Sequence, residues 1–136
     1  MRCINQIIDQ WKIDNELNIV KEEFEVRVKN QLPDTSFDIY ISSGGPGDPL
    51  SSRFDDWDIN WNKWLNEMER WNNNPSNTQK KHIFFICHSF QLASRYFNAG
   101  ILTKENLLLS AYSRCICWMP VATNPYLMVS VILFMR

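Results

Sequence analysis

The stretch "HIFFICHSFQLASRYFNAG" (82–100) decides the fold, because its spacing of apolar residues changes from that of a strand to that of a helix. The run "IFFIC" (83–87) is continuous and bounded by polar residues, which is typical of a strand buried on both faces of a sheet. A helical pattern then continues to Ala99, and Gly100 stands where a left-handed residue would end the helix. Cys87 is therefore predicted at a turn from strand to helix.

A cysteine at such a turn has two interpretations. It is either a buried small hydrophobic residue or a nucleophile held on a tight turn. In open α/β sheets, ligands bind outside the carboxyl ends of the strands, where Cys87 is predicted to lie. A helix that begins just after it would aim its N–H groups and positive dipole end at the sulfur and favour the reactive thiolate. The backbone N–H of His88 would then face a developing oxyanion.

A second turn, "SGGPGDP" (43–49), follows the short strand predicted at "FDIYIS" (37–42). Alone, such a run is typical of a tight turn. If the two strands are neighbours, however, the backbone N–H groups of Gly44 to Gly47 open onto the same pocket as Cys87. A nucleophile and two oxyanion donors would then converge.

The rest of the chain alternates helical and strand-like patterns. Apolar residues recur at helical spacing at Ile4, Ile7, Ile8 and Trp11 near the start and at Trp57, Trp61, Trp64, Leu65, Met68 and Trp71 in the centre. We interpret the central stripe as core packing. Alternation from Phe24 to Lys29 predicts a strand near a sheet edge, and "NNNPSN" (72–77) predicts a loop. This order of elements predicts an α/β protein, a three-layer α/β/α sandwich with a mostly parallel sheet.

Composition and charge narrow the function further. The 136 residues suit one domain, and 45% of them are hydrophobic. The net charge of -1 gives no electrostatic argument for binding nucleic acid. The four cysteines lack the spacing of a disulfide framework or of a zinc site, and no signal peptide opens the chain. The predicted location is therefore the cytoplasm.

The stretch "CICWMPVATNPYLMVSVILFMR" (115–136) carries no charge before its last residue. It is barely long enough to span a bilayer, and two prolines interrupt it. Its pattern also fits a buried strand over 127–134, or a tail that lies outside the fold. We therefore divide the chain into a domain over 1–110 and an atypical apolar tail over 111–136.

Two motifs together resemble the class I (triad) glutamine amidotransferases. Their nucleophile elbow reads G-[IVL]-C-x-G-x-Q, and residues 85–91 read F-I-C-H-S-F-Q. The cysteine and the glutamine match, whereas Phe85 and Ser89 replace the two glycines. The oxyanion loop of the family reads S-x-G-P-G-x-P, which 43–49 match fully. The resemblance covers residues 1–110.

The resemblance implies a function and a set of site residues. Cys87 would attack the carboxamide of glutamine and form a glutamyl thioester, and the ammonia would pass to a synthetase domain or subunit. The backbone N–H groups of Gly45 and His88 would hold the tetrahedral oxyanion. Gly47 and Gln91 would bind the substrate. Such a site needs no metal and no cofactor.

The general base of the family has no counterpart in this chain. The family takes it from a His-x-Glu motif beyond the elbow, and no histidine follows residue 88 here. His82 lies five residues before Cys87 on the same predicted strand. At about 3.3 Å per residue the separation is roughly 16 Å, which is too far for proton transfer. His88 is expected to line the pocket instead.

The resemblance thus implies a flavodoxin-like domain that lacks its first strand and its C-terminal part. The enzyme would be a glutaminase that is inactive as given. Two alternatives stay open. One is a non-catalytic module that binds glutamine or a partner, and the other is an unrelated α/β protein with a C-terminal membrane anchor.

Overall fold

The computed structural model describes residues 2–99 and the backbone of residues 126–133. The helices are α1 (Arg2–Asp14), α2 (Val26–Lys29), α3 (Asp56–Asn73) and α4 (His88–Tyr96), with a 3₁₀ turn at Ser51–Phe54. The strands are β1 (Asn18–Glu25), β2 (Ile39–Ser42), β3 (His82–Phe85) and β4 (Tyr126–Leu133). α4 ends at Tyr96, before the end at Ala99 that the sequence predicts, and Asn98 already has a left-handed φ of 51°, whereas Gly100 lies outside the described residues.

The four strands form one sheet in the order β1, β4, β2, β3, and each neighbouring pair is parallel. β4 pairs along its whole length with β1, and its residues 129–132 pair with β2. Parallel neighbours need a long crossover connection, and α3 lies in the crossover between β2 and β3. The described part of the chain is therefore an α/β protein with a parallel sheet, as the sequence predicts.

The strand predicted over 127–134 is present, shifted by one residue, as β4. The division of the chain at residue 110 put this segment in a tail, whereas its pairing on both sides makes it part of the same sheet as β1 and β2. An uncharged run suits that position, because parallel sheets are covered on both faces. The dividing residue itself lies outside the described residues.

β1 lies earlier in the chain than the alternation from Phe24 to Lys29 predicts, because it begins at Asn18 and shares only residues 24 and 25 with the predicted strand. It lies at a sheet edge, as expected, but it ends at Glu25 and gives way to the helical turn α2. In a strand, Val26 and Val28 would share one face. Val26 is instead fully buried while Val28 is 62% exposed. The prediction of a strand beyond residue 25 is therefore wrong.

β3 is less buried than its apolar run predicts. It lies at the other edge of the described sheet and pairs there with β2. Ile83 and Phe85 pack against the core, whereas Phe84 points to the opposite face and is 38% exposed. The expectation of a strand buried on both faces is wrong for this part of the chain, because the face that carries Phe84 is partly exposed.

An apolar cluster packs on each face of β2. Tyr40 belongs to the larger cluster, together with the tryptophan stripe of α3 and Leu92 of α4. Ile39 and Ile41 point the other way and pack against the cluster around Ile8 of α1. The core-packing prediction for the tryptophan stripe is confirmed. Its buried members are Trp61, Trp64, Leu65 and Met68.

Candidate active site

Cys87 occupies the turn between β3 and α4 in a strained backbone conformation. Its φ is 57° and its ψ is -114°. Positive φ disfavours residues with a Cβ, and such a conformation costs about 1–3 kcal/mol. The residue is also exposed. The predicted turn from strand to helix is confirmed, and the interpretation of Cys87 as a buried hydrophobic residue is wrong.

Ser89 fixes this turn from inside the protein. Its side chain is fully buried. The hydroxyl donates to the carbonyl of Ser42 at 2.6 Å and accepts from the backbone N–H of Ile86 at 3.0 Å. That N–H also donates to the Ser42 carbonyl at 2.9 Å. The serine thus connects the ends of β2 and β3 to the first turn of α4. This role was not predicted from the sequence, in which Ser89 is only the residue that replaces a glycine of the family motif.

The glycine-rich loop 43–49 packs directly against the nucleophile candidate. A Cβ on Gly44 would lie 2.6 Å from Cys87 Cβ and 3.2 Å from Cys87 Sγ, so this position admits only glycine. Standard backbone dimensions then put the nitrogen of Gly45 within about 8 Å of that sulfur. The expected proximity of the two turns at the carboxyl ends of β2 and β3 is confirmed.

His88 is buried among charged groups. It is 2% exposed, and burial, with the positive charge of Arg27 as the next cause, lowers the pKa of its imidazole to about 4. A hydrogen bond with Gln91, itself 7% exposed, opposes that shift. At neutral pH His88 is therefore uncharged and a weak proton acceptor. Its backbone N–H, by contrast, belongs to the first turn of α4, beside Cys87.

Arg27 holds the glycine-rich loop from the side of α2. Its guanidinium donates to the carbonyl of Pro46 and lies 4.9 Å from the ring centroid of Trp57. Gly47 has a φ of 148°, and a Cβ there would lie 2.9 Å from Arg27 Nη2. The guanidinium therefore fills the space that any other side chain at residue 47 would need. The sequence analysis missed Arg27 because it placed this residue in a strand.

Arg95 holds the same loop from the side of α4. Its guanidinium donates to the carbonyl of Pro49 and to the carboxylate of Asp58. Asp58 is fully buried, and it also accepts from the Ser52 hydroxyl and the Asn62 amide, each at 2.8 Å. A buried carboxylate with this many donors avoids the penalty of an unpaired charge. The sequence contains one indication of the ion pair between Arg95 and Asp58. Arg95 lies within the inward-facing stripe of a helix, where an arginine is rarely found unless it is paired.

An open groove of about 480 Å³ lies beside the loop. It is lined by Arg27, Asn30, Phe54, Asp55, Asp56 and Trp57. Phe54 is 85% exposed. Polar and aromatic side chains thus meet next to the turn that carries Gly47.

The structure brings together some of the predicted site residues and separates others. Cys87 and the loop that carries Gly45 and Gly47 meet, and His88 and Gln91 lie on the first turn of α4. His82 begins β3, and the strand carries it away from the elbow at the other end. The chain has only these two histidines. Neither is suited as a general base for Cys87, since one is distant and the other is buried and, with a pKa of about 4, a weak proton acceptor.

Among residues 2–99 and 126–133, no three His, Cys, Asp or Glu side chains group as metal ligands, and no helix has the length and apolar character to cross a membrane. The segment 126–133 is a strand of the sheet. The chain matched no family model, no curated protein and no solved structure.

Proposed function

We propose that this chain is a glutamine amidotransferase domain of the cysteine-nucleophile type. The observation that carries the proposal is the contact between Gly44 and Cys87. An exposed cysteine with a φ of 57° lies at the start of a helix, and a glycine-rich loop packs within van der Waals distance of its sulfur. An exposed thiol beside two sets of backbone N–H groups suits attack on a carboxamide.

Each site residue has a distinct part in the proposed reaction. The thiolate of Cys87 forms a bond to the carboxamide carbon of glutamine, and the oxygen becomes an oxyanion held by the N–H groups of Gly45 and His88. Collapse of this intermediate expels ammonia and leaves a glutamyl thioester, which water hydrolyses to glutamate. Gly47 and Gln91 bind the substrate. No metal or cofactor takes part in this scheme, and a synthetase domain or subunit in the cytoplasm receives the ammonia.

The same proposal predicts a slow enzyme. Departure of ammonia needs a proton donor, and a positioned acid or base contributes about 10²–10⁴-fold in rate. His88, with a pKa of about 4, is a poor candidate. Ammonia release by the 136-residue chain is therefore expected near background. The finer fold that accompanies this function is the three-layer, flavodoxin-like sandwich, which the apolar clusters on both faces of β2 support.

The test uses a chloroketone in which –CO–CH₂Cl replaces the glutamine carboxamide. The thiolate attacks the CH₂ carbon beside the carbonyl, and chloride leaves as the thioether bond forms. Labelling at Cys87, followed by peptide mass spectrometry, should exceed labelling by chloroacetone on the order of 100-fold, because the amino-acid part positions the carbonyl. Cys3 is exposed on α1 and should show no such preference. Equal preference at the two cysteines would contradict the proposal.

A non-catalytic glutamine-binding module is the second candidate. The buried, neutral His88 favours it, because a site without a base holds glutamine more readily than it turns glutamine over. Such a module would bind L-glutamine, which would slow the reaction of Cys87 with methyl methanethiosulfonate. It would show no accelerated labelling by the chloroketone. If glutamine slows the reaction of Cys87 with methyl methanethiosulfonate and the chloroketone also labels Cys87 faster than chloroacetone does, the result favours the amidotransferase.

A further inference from the structure

Two arginines donate hydrogen bonds to backbone carbonyls of the glycine-rich loop, one on either side of Gly47. Arg27 of α2 donates to the Pro46 carbonyl, and Arg95 of α4 donates to the Pro49 carbonyl. These arginines come from two different helices, and the loop lies between them in the sequence. Gly44, in the same loop, packs against Cys87.

Holding a carbonyl also fixes the neighbouring N–H group. The peptide unit is planar and trans, so the Pro46 carbonyl that Arg27 holds sets the direction of the N–H of Gly47, which follows it. Gly44 is wedged against Cys87, and Pro46 is held by Arg27. Gly45 therefore lies between two fixed points only two residues apart. Its N–H, the proposed oxyanion donor, has little freedom to turn.

Arg95 adds a link between the loop and the helix that follows the nucleophile. It lies on α4, whose first turn carries Cys87 and Ser89, and it reaches both Pro49 and the buried Asp58 of α3. A rotation of α4 would pull on the loop through this contact. Both guanidinium groups also act electrostatically on His88, the residue of the second proposed oxyanion donor.

We propose that Arg27 and Arg95 are positioning residues that hold the oxyanion loop against Cys87. The inference rests on the proposed function, because the loop is an oxyanion loop only if Cys87 attacks a carbonyl. The arginines need not touch the substrate. They act through the backbone of the loop, and their loss would misplace the donor of Gly45 without changing the exposure of the thiol.

The experiment compares two reagents at the same sulfur in the full 136-residue chain. Chloroacetone reacts by attack of the thiolate on its CH₂ carbon, which forms a C–S bond as chloride leaves, while negative charge develops on the neighbouring carbonyl oxygen. Methyl methanethiosulfonate reacts by attack on sulfur, which gives a methyl disulfide and methanesulfinate with no oxyanion. The ratio of the two rate constants at Cys87 therefore reports oxyanion support, because the amount of thiolate and its accessibility affect both rates alike.

Arg27→Gln should lower that ratio about 10-fold, less than the loss of a whole oxyanion donor, while the rate with methyl methanethiosulfonate stays within about twofold. Arg27→Lys should recover part of the loss. Arg53→Gln is the matched control, because Arg53 is an exposed arginine on the 3₁₀ turn near the loop. Arg95→Lys keeps a positive charge for Asp58, which guards against unfolding, and should lower the ratio several-fold.

A ratio that stays at the wild-type value in both Arg27→Gln and Arg95→Lys would overturn the inference. So would an equal fall in Arg53→Gln. Because chloroacetone carries no amino-acid group, this result does not depend on glutamine recognition. Loss of glutamine preference with an intact effect of the arginines would refute the proposed substrate alone, so the two failures are distinguishable.

Discussion

The elbow around Cys87 and the part of the sheet that contains β1 are held together in different ways. At the elbow, Ser89, Arg27 and Arg95 supply side-chain hydrogen bonds to backbone carbonyls of β2 and of the glycine-rich loop. β1 instead joins the sheet through backbone pairing with β4, since β4 lies between it and β2. The site is thus fixed by side-chain hydrogen bonds to its own backbone carbonyls, whereas the sheet depends on backbone pairing with a strand that is distant in sequence.

This difference predicts which substitutions the protein tolerates without a large loss of stability. Breaking one contact at the elbow leaves others, because Ser42 accepts from both Ile86 and Ser89. Breaking the pairing of β4 removes the backbone hydrogen bonds that connect β1 to β2 and β3. We therefore expect the largest effects on stability from β4 and smaller ones from single elbow residues.

The largest expected effect comes from Ser130→Pro. Ser130 pairs with Glu22 of β1 and Tyr40 of β2, and a proline there removes a backbone donor from a strand with neighbours on both sides. The cost should be about 3 kcal/mol or more, which would abolish a cooperative transition in thermal denaturation followed by circular dichroism. Gln79→Pro in the exposed loop before β3 is the control. Equal melting of Ser130→Pro and the wild type would show that β4 does not hold the sheet together.

The sequence predicted the parts of the fold that local patterns encode. The apolar run before Cys87, the helical stripe of α3 and the turn residues after β2 each carry their own periodicity or turn chemistry. From these, the meeting of Cys87 with the glycine-rich loop followed once the two strands were taken as neighbours. Parallel strands end at the same edge of a sheet, so this step needed no knowledge of side-chain contacts.

Contacts between distant residues were not predictable in this way. Arg95 meets Pro49 across 46 positions and Asp58 across 37, and no periodicity says which carbonyl a guanidinium reaches. The position of β4 between β1 and β2 is likewise a property of non-local pairing. Val26 and Val28 alternate as in a strand, and only the burial of one and exposure of the other reveal the helical turn α2.

The pH dependence of stability should report the packing of the elbow. The pKa of His88 falls from an unfolded value near 6.5 to about 4, so the unfolded chain binds this proton more tightly. Stability from this group is complete above about pH 6.5 and is lost as the pH falls towards 4. Between pH 7 and pH 5 the free energy of unfolding should drop by about 2 kcal/mol, measured by urea denaturation.

The control for that measurement is the other histidine. His88→Gln should flatten the change between pH 7 and pH 5, because the lowered pKa belongs to the buried imidazole of His88, whereas His82→Gln should keep the change. An unchanged slope in His88→Gln would mean that His88 is not packed as the structure has it.

The smallest expected effect is that of Ser89→Ala, and it tests whether the elbow has redundant support. The substitution removes the hydroxyl that donates to the Ser42 carbonyl, yet Ile86 still donates to the same carbonyl at 2.9 Å. The Ser42 carbonyl and the Ile86 N–H keep each other as partners, and the contact of the hydroxyl with the Ile86 carbonyl is long, at 3.1 Å, so the cost should be about 1 kcal/mol, the net value of one hydrogen bond. Chemical denaturation measures it, and Ser94→Ala, a half-buried serine on the same helix, is the matched control. A loss of 3 kcal/mol or more would show that this one hydroxyl, rather than a set of overlapping contacts, sustains the strained conformation of Cys87.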